Sequence, residues 1–235
     1  MMWYIFVIAL VLFVLTYLQL YHSSVEVQKL RKKIVEKQQE GGSEVMKSST
    51  IKKWLMWKGM DSSKADYYAQ LIVAASSINS VDPYLVAAII YQESKYDQYA
   101  KGDKVEKDYY GGGFTSFGLM QIRTYKEKAE EWSTFDFIVM HSKDPVLQWL
   151  KFQSMRDEEV RRARRNDLTS ALFDPQINIH LGASYLGYIS QYRKTSDPYE
   201  LALYYNRGHG AKYVEGWGYS ISVLNIIWEI ISHEE

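Results

Sequence analysis

Asp82-Pro83-Tyr84-Leu85-Val86-Ala87-Ala88-Ile89-Ile90-Tyr91-Gln92-Glu93-Ser94 is the stretch from which the fold can be read. Aspartate accepts bonds from the free N–H groups of a helix start, and proline fits the first helical position. The spacing therefore predicts a helix beginning at Pro83. Val86, Ile89, Ile90 and Glu93 fall at offsets 0, 3, 4 and 7, one face of that helix. A carboxylate at the end of an apolar stripe loses part of its hydration. Desolvation disfavours the anion and raises the pKa. A carboxyl still protonated near neutral pH suits a general acid. The competing reading of Glu93 by itself is a surface glutamate near a helix end.

The Asp-Pro signal recurs. All four prolines follow aspartate: Asp82-Pro83, Asp144-Pro145, Asp174-Pro175 and Asp197-Pro198. Each predicts a helix start. Asp61-Ser62-Ser63 caps a further helix running toward Ser80, and Ile221, Leu224, Ile227 and Ile231 mark an amphipathic helix near the C-terminus. No alternating run is long enough for a large sheet. Gly111-Gly112-Gly113 offers a turn for a small hairpin around Tyr109 to Thr115. The expected class is mainly α with at most that hairpin.

The N-terminus reads as a separate unit. Met1 to Val25 has no charged side chain, and Trp3 to Leu20 is almost wholly apolar. Eighteen helical residues reach about 27 Å, enough to span most of a bilayer. Trp3, Tyr4, Tyr17 and Tyr21 stand near its ends, as interfacial aromatics do. A cleaved signal peptide is the alternative, but no basic segment precedes the run and no small-x-small site follows it. The expected layout is a membrane anchor at 1–24, a helical spacer and Gly/Ser linker at 25–50, and one domain at 51–235. Val27, Leu30 and Ile34 suggest a solvated spacer helix or a short coiled dimer stalk, with a linker from Gly41-Gly42-Ser43 to residue 50. Lys29, Arg31, Lys32, Lys33 and Lys37 follow the span and no Lys or Arg precedes it, so the positive-inside rule keeps the domain on the cytoplasmic side.

Composition narrows the partners. Lys+Arg and Asp+Glu both number 28 in 235 residues, so the global charge does not favour nucleic acid. There is no cysteine, and five scattered histidines show no ligand spacing, so neither metal nor cofactor is expected. Twenty Tyr and seven Trp supply flat rings with polar tips, suited to sugar clefts or to core packing. Asp157 to Arg165 is densely charged, with Arg156, Arg161, Arg162, Arg164 and Arg165. It reads as a solvated helix face, or as a contact for anionic polymer, lipid headgroups or an assembly partner.

Three ordered stretches, Tyr91-Gln92-Glu93-Ser94, Gly118-Leu119-Met120-Gln121-Ile122 and Tyr204-Tyr205-Asn206, resemble the motifs of soluble-type lytic transglycosylases and the related goose-type lysozymes. Asp174-Pro175-Gln176-Ile177-Asn178-Ile179, running on to Gly182 and Tyr185-Leu186, also matches that family. The resemblance covers roughly residues 82–224. It implies a lysozyme-like α domain that cleaves peptidoglycan glycan strands. Glu93 would be the acid, with Ser94 orienting it or binding substrate. Met120 would form a soft wall for a sugar, and Gln121 would offer donors and acceptors. Tyr205 and Asn206 would hold an N-acetyl sugar or peptide group. Tyr219 matches a late tyrosine that bonds near the catalytic carboxyl, with core packing as its rival role.

The chain departs from the family at several points. Arg207 stands where many relatives have Ala. Residues 126–170 look like an insertion. Arg123 stands where a goose-type lysozyme would place Asp, leaving Asp97, Asp103 and Asp108 as candidates for a second carboxylate. Hydrolysis uses a second carboxylate, whereas a lytic transglycosylase needs only one. The resemblance therefore implies transglycosylation to a 1,6-anhydroMurNAc end, with two alternatives: a hydrolytic muramidase, or a glycan-binding or assembly protein without turnover. A cell-wall enzyme should work on the other side, which leaves three explanations: the positive-inside rule fails here, the protein reaches the wall in another way, or it belongs to a membrane-containing phage, whose vesicle proteins face outward after assembly.

Overall fold

The computed structural model describes residue 25, residues 28–34, residue 36, and residues 43–102, 116–124, 134–148, 170–208 and 217–234. The side chain of Asp136 is not among them. The chain divides into Met1–Gly41 and Gly42–Glu235. In the first unit, residues 28–34 are helical, as expected of the spacer, and Lys32 pairs with Glu36 one turn on at 3.7 Å. The anchor expected at residues 1–24 lies outside the described residues. No helix among the described residues is long and apolar enough to cross a membrane.

The second unit is built of helices. α1 spans Glu44–Trp57, α2 Ser62–Asn79, α3 Pro83–Ser94, α4 Thr134–His141, α5 Pro175–Arg193, α6 Pro198–Arg207 and α7 Trp217–Ile231. α1 corrects the sequence reading. It starts at Glu44, inside the stretch expected to be a linker, because the Ser43 hydroxyl accepts the Met46 N–H at 3.3 Å and caps it. Thr50, Ile51, Trp54 and Leu55 on this helix are buried, so it belongs to the packed domain.

Each Asp-Pro pair starts a helix. Asp82, Asp174 and Asp197 accept the Tyr84, Ile177 and Tyr199 N–H groups at 3.1, 3.1 and 2.9 Å. Asp144 opens only the 3-10 turn Pro145–Leu147, accepting the Val146 N–H at 2.9 Å. Asp61 caps α2 by accepting the Lys64 N–H at 2.9 Å.

α3 is the central element and packs against α1, α2, α5, α6 and α7. All eight residues from Pro83 to Ile90 are buried, so this part is apolar all round rather than on one stripe. Beyond Ile90 the surroundings open, and Glu93 sits at that margin. The helix stops there because Lys95 and Tyr96 both take left-handed backbone, with φ of 53° and 64°. A bulky residue rarely adopts this conformation. Tyr96 is held in it by packing against Trp54 and Tyr68, at ring separations of 6.2 and 5.4 Å, and by its hydroxyl donating to the Ala87 carbonyl at 3.2 Å.

A two-stranded hairpin joins β1 (Ser116–Phe117) to β2 (Ile122–Arg123), pairing Ser116 with Arg123 and Phe117 with Ile122. The Gly118-to-Gln121 segment is its turn, so the pentapeptide of the second motif forms the turn and the start of β2. The hairpin expected around Tyr109 to Thr115 lies outside the described residues, as does the arginine cluster from Arg156 to Arg165.

Candidate active site

A cleft of about 340 Å³ opens where the end of α3 meets the hairpin, α4, α5 and the end of α6. Glu93 contributes its carboxyl from α3. Ser116, Gln121, Ile122 and Arg123 line it from the hairpin, and Tyr185, Tyr205 and Asn206 from α5 and α6.

Glu93 is half-buried, and its desolvation holds the carboxyl above its ordinary value of 4.5. One bond works against this shift: the Tyr219 hydroxyl donates to Glu93 Oε1 at 2.5 Å and favours the anion. The Tyr219 phenol is itself pushed well above its usual range, first by burial and then by the Glu93 charge, so it stays a donor. One residue before Glu93, Gln92 Oε1 accepts from the Ser222 hydroxyl at 2.7 Å. Two bonds from α7, three residues apart on that helix, therefore fix the end of α3 next to the acid.

The opposite wall is tied down from behind. Asn178 on α5 is fully buried. Its Oδ1 accepts the Met120 N–H at 2.7 Å, and its Nδ2 donates to the Phe117 and Leu172 carbonyls at 3.0 and 2.8 Å. Gly118 has φ +77°, and a Cβ there would stand 2.3 Å from Asn178 Nδ2. Glycine is required by both the backbone conformation and the approach. The turn is closed by Gln121, whose Nε2 donates to the Gly118 carbonyl at 2.9 Å while its Oε1 accepts from the Ser116 hydroxyl at 2.8 Å. Gln121 thus faces the cleft with a side chain already immobilised by its own hairpin. Tyr205 donates to the Met120 carbonyl at 2.7 Å, and its ring lies 5.6 Å from that of Tyr185.

The structure brings together Glu93, Gln121, Tyr205, Asn206 and Tyr219, drawn from α3, the hairpin, α6 and α7. Asn206 is exposed at the cleft. Two of the expected residues are placed differently. Met120 is fully buried, with its thioether packed where a Cβ on Gly182 would meet Sδ at 2.1 Å. It cannot present a soft wall to a sugar, and it supports the cleft through its backbone. Ser94 turns its hydroxyl back to the Ile90 carbonyl at 3.1 Å and is not among the cleft-lining residues. Its bond is the ordinary return of a helical serine to the preceding turn.

Sequence reasoning gave no role to Tyr185, Thr134 or Ser116, which also line the cleft, or to Asn178 as the anchor of the hairpin. The Asn178-to-Leu186 stretch was legible as a motif. The Asn178 bonds to Met120 and Phe117 join segments 58 and 61 residues apart, so no local spacing reveals them.

Among the described residues that line the cleft, Glu93 is the one carboxylate. Asp97 lies just past α3, is exposed, and accepts the Tyr99 N–H at 2.9 Å. Asp103 and Asp108 are outside the described residues. Arg123 occupies the cleft margin on β2. This arrangement can deliver one proton to a bound polar oxygen and then take one back.

Residues 70–144 match the family model of the transglycosylase SLT domain. The match includes most of α2, all of α3 with Glu93, the hairpin and α4. No curated protein and no solved structure gives a significant match to the chain.

Proposed function

We propose that this chain, whose residues 70–144 match the transglycosylase SLT domain, is a lytic transglycosylase that cleaves the β-1,4 bond between MurNAc and GlcNAc in peptidoglycan. The observation that carries the reading is Glu93: a half-buried carboxyl with a raised pKa, bonded by Tyr219, at the edge of a sugar-sized cleft. Protonated Glu93 gives its proton to the glycosidic oxygen as the C1–O bond breaks. The acetamido oxygen of the same MurNAc can support C1 as positive charge develops. The Glu93 carboxylate then takes the proton from the C6 hydroxyl, whose oxygen bonds to C1. Glu93 is returned to its starting state, and no water is consumed. The C6 hydroxyl is tethered to the reacting ring, which gives it a high effective concentration. Asn206 and Gln121 line the cleft where an N-acetyl group would be held.

Digestion of purified peptidoglycan in isotopically labelled water tests the reading. The expected products end in 1,6-anhydroMurNAc, roughly 18 mass units lighter than hydrolysed ends, without label. Labelled ends that reduce with borohydride would assign a hydrolytic muramidase instead. Asp97, Asp103 and Asp108 would then be mutated in search of the second carboxylate.

The setting is part of the same proposal. Residues 3–20 hold the protein in a bilayer, supported by their apolar, uncharged run. The basic cluster after them supports a domain on the cytoplasmic side by the positive-inside rule, which fits a phage vesicle that opens the wall during entry. Recovery of the full chain from washed membranes only with detergent is the expected fractionation.

A further inference from the structure

Two guanidinium groups border the cleft at Glu93, and the proposed reaction uses neither. Arg123 reaches it from β2 and Arg207 from the last turn of α6. Both residues are exposed. The elements that carry them are tied together. Tyr205, two residues before Arg207, donates to the carbonyl of Met120, three residues before Arg123, at 2.7 Å. Gly208 follows Arg207 with φ +87°, and a Cβ built on it meets no described atom within 4 Å. The cleft is therefore open past Arg207, with room for a branch of a bound strand.

Charge decides what that branch must be. A guanidinium stays protonated at every working pH and offers five N–H donors but no acceptor. Glu93 is neutral when it acts as an acid. The described lining then carries two positive charges and no negative one, which favours an anion. The hydroxyls and acetamido groups of peptidoglycan sugars are neutral. The negative charge sits on the lactyl branch at O3 of MurNAc, as the lactyl carboxylate of a bare strand or as carboxylates of the stem peptide. Arginine pairs with a carboxylate through two parallel N–H···O bonds, a geometry that a single acetamido oxygen does not complete. A rival role for Arg207 is to meet the last carbonyls of α6, as basic residues near helix C-termini do. That role stabilises the helix without regard to the charge of the strand.

We infer that Arg207, together with Arg123, recognises a carboxylate on the lactyl branch of the MurNAc bound at Glu93, and so selects charged peptidoglycan strands over neutral ones. This inference rests on the proposed glycan-cleaving function. Both arginines stand where the chain departs from the motifs it resembles, so the selectivity is a property of this chain's own residues.

Binding is measured by calorimetry on the full chain in detergent micelles, carrying Glu93→Gln so that strands are held but not cut. One pair of probes is a strand stripped of its peptides, with its lactyl carboxylates either free or converted to methylamides. A second pair is a peptide-bearing strand, with its stem carboxylates either free or amidated. The charged member of at least one pair is expected to bind about tenfold more tightly than its neutral partner. A difference in the first pair assigns the lactyl carboxylate, and a difference in the second alone assigns the stem. Adding Arg207→Gln is expected to remove most of that difference by weakening the charged strand and leaving the neutral one unchanged. Arg207→Lys, which keeps the charge without the fork, is expected to retain part of it. Equal affinity within both pairs, an undiminished difference in Arg207→Gln, or equal losses on charged and neutral strands would overturn the recognition and leave the proposed function standing. Failure of the folded protein to bind any strand would overturn the glycan reading and this inference together.

Discussion

Tyr219 donates its hydroxyl to Glu93 Oε1 at 2.5 Å across 126 positions of sequence, joining α7 to the end of α3. The bond opposes the burial that raises the Glu93 pKa. The acid is therefore tuned by two competing effects, of which desolvation is the larger.

Removing the bond shifts the pH profile. Glu93 must be protonated to act, so activity falls as pH rises through its pKa. Tyr219→Phe deletes the contact that lowers this pKa. The descending limb of kcat/KM against pH moves to higher pH, while the rate at the optimum drops about tenfold from lost orientation. An unmoved limb would show that Tyr219 does not tune the acid.

Glu93→Gln separates chemistry from stability. Wall-lytic activity on a zymogram falls about 10²–10⁴-fold. Folding favours the protonated carboxyl, because its pKa is raised above the ordinary 4.5. That contribution is complete below the unfolded pKa and is lost as pH rises through the folded one. Glutamine keeps the shape without the charge. The variant should therefore melt higher than wild type at neutral pH, with the gap closing below about pH 4.

Asn178→Ala strips partners from the Met120 N–H and from the Phe117 and Leu172 carbonyls. Buried groups left without partners make the loss about 3 kcal/mol in urea unfolding. Any protein that folds loses activity, because the turn carrying Gln121 is no longer tied to α5. Asn178→Asp fares no better, since it brings a carboxylate against two carbonyls.

Asp144 behaves in the opposite sense to Glu93. Burial alone would raise its pKa, but His180 at 2.7 Å, Asn79 at 2.8 Å and the Val146 N–H hold it below the ordinary 3.8. Its stabilisation is present above the unfolded pKa and is lost as pH falls through the folded one. Asp144→Ala leaves the His180 ring, the Asn79 amide and the Val146 N–H without this acceptor and costs about 3 kcal/mol at pH 7. The difference from wild type, followed by denaturant titration, narrows as pH drops below about 3.8.

The parts of this fold readable from sequence are those whose chemistry is local. An aspartate before a proline satisfies N–H groups two or three residues ahead, so the starts of α3, α5 and α6 are written within four positions. Glu93, Gln121, Tyr205 and Asn206, singled out by motif order, line one cleft, and Tyr219 reaches Glu93 from α7. The misreadings arise where the tertiary neighbour decides. Gly41-Gly42-Ser43 has linker composition, yet Ser43 caps a helix whose Trp54 is buried and donates its Nε1–H to Glu229 of α7 at 3.0 Å. Met120 is apolar and beside a cleft residue, but the small Gly182 opposite gives it a place inside. Asn178 resembles any polar residue near a helix start until its backbone partners come into view.

The pairing of α3 with α7 also bears on how the chain is made. Synthesis runs from the N-terminus, so Glu93 leaves the ribosome well before Tyr219 and Ser222. Until α7 docks, the acid lacks its clamp and the end of α3 lacks the Gln92 contact. A nascent or C-terminally clipped chain would hold the reactive carboxyl but not the geometry that directs it. The end of α3 therefore reaches its final geometry only when α7 docks, the last step of the chain's assembly.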